Sequence, residues 1–273
     1  MTRPMPDTPQ SLDDLRAEID RIDAEMHRLL IARGGIIDAL VRVKKTGETG
    51  SAFRPGREAD MMRRLVARHS GRLPFSAVEH IWRTIISGFT HVQAPYAVHV
   101  DGAGGGERRE ALRDLARFQM GFDVPLVMHE SAEAVIAAVS GSQGDLGLIG
   151  LGPSERPWWQ GLGGAGQTDK EGPVVMARLP FLVYPGRPAA TPAVVIARPL
   201  GEAAVDEIAV VAADFATAPE PGVFDVLAEA TSDRWRGLIA VPSANLPESA
   251  PRLGSYARPI DLIESADQLA VAE

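Results

Sequence analysis

The sequence contains no cysteine. That excludes disulfides, thiolate metal sites and a cysteine nucleophile. Basic residues are in the minority, 28 against 36 acidic, and the formal net charge is −8. Nucleic acids and anionic membrane surfaces are therefore not expected as partners. Any small anionic ligand would need a local basic pocket set against the global field. No apolar run is long enough to span a bilayer. The opening "MTRPMPDTPQ" is polar and proline-rich without an apolar core, so no secretory leader is expected there and a cytoplasmic location is. The six histidines show no HExxH or comparable ligand spacing, so no metal is indicated. No internal repeat is present.

What the sequence does hold is a chain of 273 residues, 45% hydrophobic, enough for one large domain or two ordinary ones. Its two parts follow different grammars. From Leu12 the apolar residues fall at Leu12, Leu15, Ile19, Ile22, Met26, Leu29, Ile36, Leu40 and Val43. Alternating steps of three and four make a heptad seam. Ser11 can cap its start, and Asp13 and Asp14 suit the positive end of the dipole. A helix from about 11 to 45 would run roughly 50 Å, which asks for a partner, most simply a second copy. "FRPG" then predicts a second helix with Pro55 in its first turn and Met61, Met62, Leu65 and Val66 on one side. A third runs from about Phe75 to Gln93, with Val78, Ile81, Trp82, Ile85, Ile86, Phe89 and Val92 expected inward. Residues 1–94 thus read as an all-α three-helix domain.

Pro95 marks a change. "YAVHV", "VPLVM", "DLGLIGL", "FLVY", "AVVIA" and "EIAVVAA" read as strands, with "RREALRDLARF" and "SAEAVIAAVSG" as helices between. Residues 95–273 are expected to form an α/β domain with a parallel component near its start. Glycine and proline crowd 150–190, where long loops are expected. "DGAGGGE" misses a dinucleotide fingerprint at its last glycine and reads as a turn. Trp158 and Trp159 read as a locally packed pair.

Polar residues interrupt the apolar stripes of the helical part. Arg33 fills a seam position. Lys44 lies eleven residues on, about three turns with roughly 20° of drift, so both leave one face. Arg16 sits roughly 100° round and about 25 Å from Arg33, so one helix cannot join them, whereas an antiparallel partner helix could. Glu58 lies on the stripe of Met62 and Leu65, with Arg57 beside it. Gln93 follows Phe89 by four. Taken singly, Arg33 could be a register device or a snorkelling side chain, and the others helix-end groups. Together each would bury a polar group at some cost. A single pocket of Arg16, Arg33, Lys44, Arg57, Glu58 and Gln93 accounts for all of them. Four cations, a carboxylate and an amide suit a small ligand with about two negative charges and a hydroxyl.

The pieces "LDDLRAEIDRIDAEMHRLLIAR", "VRVKK", "FRPGREADMMRRL" and "IWRTIISGFTHVQ" resemble the all-helical class of chorismate mutases, over about a third of the chain. The resemblance implies an intertwined homodimer built on the long N-terminal helix and conversion of chorismate to prephenate without a cofactor. It implies that Arg33 and the partner subunit's Arg16 clamp the substrate carboxylates. Lys44 and Gln93 would hydrogen-bond the ether oxygen, Glu58 would accept from the ring hydroxyl, and Arg57 would support that end. Two positions depart from the pattern: Phe89 stands where a small hydroxyl residue is frequent, and Arg54 where an acidic residue can occur. The segments "YAVHVDGAGGGERREAL" and "ESAEAVIAAVSGSQGDLGLIGL" are similar to the opening lobe of prephenate dehydratases. The Thr-Arg-Phe motif of that family is absent, so the region reads as degenerate, non-catalytic or regulatory. As such it is a candidate seat for an aromatic amino acid effector. Rival readings are an isochorismate pyruvate lyase on the same scaffold, a sensor of chorismate or aromatic amino acids without turnover, and a bifunctional mutase–dehydratase.

Overall fold

The structure is a computed structural model. It describes residues 11–44, 52–163, 172–199, 205–220, 222, 224–231, 233–246 and 251–262. By internal contact the chain parts into residues 1–45 and residues 46–273.

The described part of the first unit is one helix, α1 (Leu12–Lys44). Its cap forms as the sequence predicts. The Ser11 hydroxyl accepts from the Asp14 N–H at 3.1 Å, and Asp14 accepts from the Ser11 N–H at 3.1 Å and hydroxyl at 2.7 Å. These bonds hold the Asp14 carboxyl below its ordinary range. The helix continues through Gly34 and Gly35. Its seam residues Leu12, Leu15, Ile19, Ile22, Met26, Leu29, Ile36 and Val43 are exposed. The predicted stop at "TGETG" lies outside the described residues.

The second unit opens with α2 (Pro55–Arg68), which has Pro at its start, and α3 (Phe75–Gln93). Both match the sequence expectation in their bounds. The α2 stripe is also as expected: Met62 and Leu65 are buried, and they pack with Ile86, Phe181, Leu182 and Ala257. The α3 stripe is as expected only in part: Ile86 is buried and Val78 and Trp82 pack against the same cluster, but Ile81 and Val92 are exposed, and Glu79, Arg83, Ser87 and Thr90 are buried. The polar face turns inward because its groups find partners there. Ser87, for example, donates to the Met120 carbonyl at 2.5 Å and meets the Tyr96 hydroxyl at 3.2 Å.

A sheet-rich α/β region follows. β1 (Val98–Asp101), β2 (Leu126–His129) and β3 (Leu146–Gly150) are parallel, in the order β2-β1-β3. Their crossovers are α4 (Gly106–Met120) and α5 (Ala132–Ser140). Leu112 and Leu115 of α4 pack with Val98, Val100 and Leu148. Val135 and Val139 of α5 pack with Ile149 and Ile196 in a second cluster. The two helices therefore cover opposite faces, as right-handed parallel units do. "GAGGG" is a turn, with Gly104, Gly105 and Gly106 at positive φ.

The remaining strands are β4 (Gly152–Pro153), β5 (Val174–Leu179), β6 (Leu182–Val183), β7 (Ala193–Ala197), β8 (Ile208–Phe215), β9 (Asp225–Thr231), β10 (Trp235–Pro242), β11 (Gly254–Tyr256) and β12 (Ile260–Asp261). The sheet runs β2-β1-β3-β7-β5-β11-β8-β10-β9-β4, and β6 pairs separately with β12. Where long loops were expected over 150–190, the structure has β5 and a turn of 3-10 helix over Trp158–Gly161, whereas β6 falls within "FLVY", read as a strand. Only Leu151 separates β3 from β4, yet they stand third and tenth in the order. The sheet must curl until its last strand meets β3, closing a ring. Ile149, Val175, Ile196, Val210, Leu227, Leu238 and Tyr256 belong to the cluster that fills it. Trp158 and Trp159 join the same cluster, edge to face with ring centroids 5.6 Å apart.

Candidate active site

The six residues picked out by sequence fall on α1, α2 and α3. Arg16 is exposed and pairs with Asp13 at 3.3 Å. Arg33 is half-buried, about three turns from the C-terminus of α1. The Lys44 side chain lies outside the described residues. Arg57 is exposed in the first turn of α2. Gln93, half-buried at the end of α3, donates through Nε2 to the Phe89 carbonyl at 3.0 Å. Arg54 donates to the Phe53 carbonyl at 2.8 Å.

Glu58 is strongly perturbed. Its side chain is 15% exposed and pairs with Arg83 at 3.2 Å. Burial pushes its carboxyl up to about 7, and the Arg83 charge opposes that rise. Burial also pulls the Arg83 guanidinium down, with Glu58 and Glu79 acting against it. Arg83 was not foreseen. Its signal was legible: Glu79, Arg83, Ser87 and Thr90 form a polar stripe on a helix otherwise chosen for apolar residues. Glu79 is fully buried, held by Arg187 at 2.8 Å and by the Tyr184 hydroxyl at 2.7 Å. Burial and then Glu79 raise the Tyr184 phenol.

Two further polar sites lie in the α/β region. His99 bridges His129 at 2.8 Å and Asp145 at 3.2 Å. Burial, with His99 nearby, lowers the His129 imidazole below its ordinary 6.5. No group of His, Asp and Glu able to hold a metal occurs among the described residues. An open cleft of about 950 Å³ is lined by Arg63, Arg178, Glu207, Asp225, Tyr256 and Arg258, with Pro180, Val183 and Val241 as apolar wall. Arg63 pairs with Glu207 and Arg178 with Asp225, both at 2.7 Å. The Tyr256 hydroxyl is buried, and burial raises it to about 12.

Residues 15–94, the segment that carries all six expected site residues, match the family model described as chorismate mutase type II. Among curated proteins, the bifunctional chorismate mutase/prephenate dehydratase of Neisseria gonorrhoeae is 33% identical over 106 residues, 37% of this chain. The aligned stretch spans 28% of that relative's length. No solved structure matches the chain. No helix among the described residues is long and apolar enough to cross a membrane.

Proposed function

We propose that this protein is a chorismate mutase, an isomerase that rearranges chorismate to prephenate on the way to phenylalanine and tyrosine. The observation that carries the reading is the placement of Arg16, Arg33, Lys44, Arg57, Glu58 and Gln93 inside the segment that matches the chorismate mutase type II family. The reaction is intramolecular and needs no nucleophile, metal or cofactor. It is accelerated by holding a compact near-attack conformer and by stabilising charge on the breaking ether oxygen. Arg33 and the partner subunit's Arg16 would clamp the carboxylates, where a guanidinium fork binds two oxygens at once. Lys44 and Gln93 would donate to the ether oxygen, Glu58 would accept from the ring hydroxyl, and Arg57 would support that end. The functional boundary in this reading falls at 94/95, with 95–273 as an appendage.

The assembly proposed is a homodimer in the cytoplasm, paired through α1. The exposed apolar seam of α1, with Leu12 at 63% and Ile36 at 67% exposure, supports it. So does the outward stripe of α3, with Val92 at 62%. An aromatic amino acid effector would be sought in the cleft beside Tyr256.

The test is product analysis of the full-length protein with chorismate. Prephenate alone is the expected result. Phenylpyruvate would instead favour the bifunctional reading, to which the name of the gonococcal relative points. Pyruvate released from isochorismate would mean a lyase. Binding without conversion would mean a sensor. Arg33→Ala should lose about 10²–10³-fold in turnover while remaining a folded dimer.

A further inference from the structure

Four buried side chains stand in line with alternating charge: Arg187, Glu79, Arg83 and Glu58. Their side-chain exposures are 1%, 0%, 3% and 15%. Arg83 lies within electrostatic reach of both carboxylates, yet it donates to Glu58. Its own Nε is buried and has no hydrogen-bond partner among the described residues, so its hold on Glu58 is through one N–H. What keeps it from turning to Glu79 is that Glu79 is already occupied. One oxygen takes Arg187 at 2.8 Å and the other takes the Tyr184 hydroxyl at 2.7 Å. Arg187 is itself held by the carbonyls of Pro188 and Ala189, at 3.0 and 2.7 Å, and lies 4.7 Å over the Phe118 ring.

We propose that Arg83 is the positioning residue for Glu58, and that Glu79, Arg187 and Tyr184 keep Arg83 committed to it. The α/β region thereby sets the aim and charge of a carboxylate in the proposed mutase site. For its effect on turnover the inference rests on the mutase reading. The charge line itself rests on geometry alone.

The groups around Glu58 leave Arg83 as its main counter-charge. From α3 comes Arg83. From the segment before β1 comes the neutral Tyr96 phenol, which burial raises to about 12. From β5 comes Arg178, which shares a small cavity of about 30 Å³ with Glu58 but is paired with Asp225. On α2 itself Arg57 is exposed. The other walls of that cavity are mostly apolar, including Phe53, Met120, Met176 and Phe181. If Arg187 is removed, Glu79 loses the donor that occupies one of its oxygens and can compete for Arg83. Glu58 then loses part of its counter-charge, and its proton is held to higher pH.

The experiment follows the Glu58 carboxyl by carbon NMR in full-length protein labelled at glutamate, assigned with Glu58→Gln. The same samples give pH profiles of kcat/KM with chorismate. In Arg187→Met the Glu58 midpoint should rise by about one unit, as loss of an effective counter-charge predicts, and the acid limb of the profile should rise with it. In a Glu58→Gln background Arg187→Met should move no limb. Arg83→Lys should fall between wild type and Arg83→Gln. If Arg187→Met does not fold, Tyr184→Phe removes one bond to Glu79 without removing a charge, and a smaller upward shift is expected. A uniform loss of rate at every pH with an unmoved Glu58 midpoint would mean a merely structural role and would overturn the inference. A shifted midpoint in a protein that makes no prephenate would leave the charge line standing and refute the mutase reading instead.

Discussion

Replacing Glu58 by glutamine should remove a loss of stability that the second unit otherwise suffers as pH rises. In the folded chain the Glu58 carboxyl is pushed from an ordinary 4.5 up to about 7. A raised carboxyl binds its proton more tightly folded than unfolded. Its contribution is therefore fully present below pH 4.5 and is lost as pH rises through 7. Two and a half units at about 1.36 kcal/mol each put that loss at about 3 kcal/mol. Glutamine cannot ionise, so Glu58→Gln should not show it. Whatever fixed cost the amide brings beside Arg83 cancels when the same pair of proteins is compared at two pH values. The assay is urea unfolding of wild type and variant at pH 4 and pH 8, at one protein concentration. Tryptophan fluorescence reports on the right part of the molecule, because all four tryptophans, at 82, 158, 159 and 235, lie in the unit that holds Glu58. Between the two pH values the variant should gain about 3 kcal/mol on the wild type. If the two proteins keep parallel stabilities across that range, the Glu58 carboxylate is not buried as described, and the account of Arg83 as its counter-charge fails with it.

Other consequences are open to direct measurement. Gln93→Ala should lower kcat for prephenate formation by about 10²–10³-fold, as loss of a donor to a developing oxyanion does, with little change in melting temperature. Ile22→Asp on the exposed seam of α1 should turn the expected dimer into a monomer by sedimentation, and a dimer that survives would refute pairing through that face. Gly254→Ala should prevent folding, since a Cβ there would stand 2.1 Å from the Val175 carbonyl oxygen at a φ of +143°. Retained near-ultraviolet dichroism would refute that register. Lowering the pH through the His129 titration should destabilise the second unit, because its depressed imidazole favours folding only while neutral. His129→Gln should remove that acid-side loss.

The helical part was legible because its signals are local. The seam from Leu12, the proline at 55 and the break before Phe75 depend on neighbours a few positions away, and the bounds of α2 and α3 match. The strands β1, β2, β3, β6, β7 and β8 were legible as apolar runs. β5 was not, because a register irregularity between Val175 and Ala177 breaks its alternation. β9 and β10 carry a similar shift at Leu238 and Ile239. The inward face of α3 was misjudged for a different reason. Glu79 is buried by Arg187 and Tyr184, residues more than a hundred positions away, and no helical period registers partners at that range. For Glu58 the limit is similar: its place on an inward stripe could be read from Met62 and Leu65, and that of Arg83 from the polar stripe of α3, but the pairing of the two could not. Arg16, Arg33 and Lys44 could be placed on helix faces from spacing alone, which says nothing of the chain that would meet them.

The ring of strands carries a consequence for how the chain acquires its structure during synthesis. β11 enters the sheet between β5 and β8, although its residues, 254–256, are made long after those of β5. A nascent chain emerging from the ribosome can build the β2-β1-β3 crossovers as soon as residue 150 is free. It cannot seal the ring until Tyr256 has left the exit tunnel. Until then the edges of β5 and β8 lie open, and unpaired edges are where chains aggregate. A ribosome stalled short of residue 254 should therefore hold an open, protease-sensitive sheet beside an already folded parallel half.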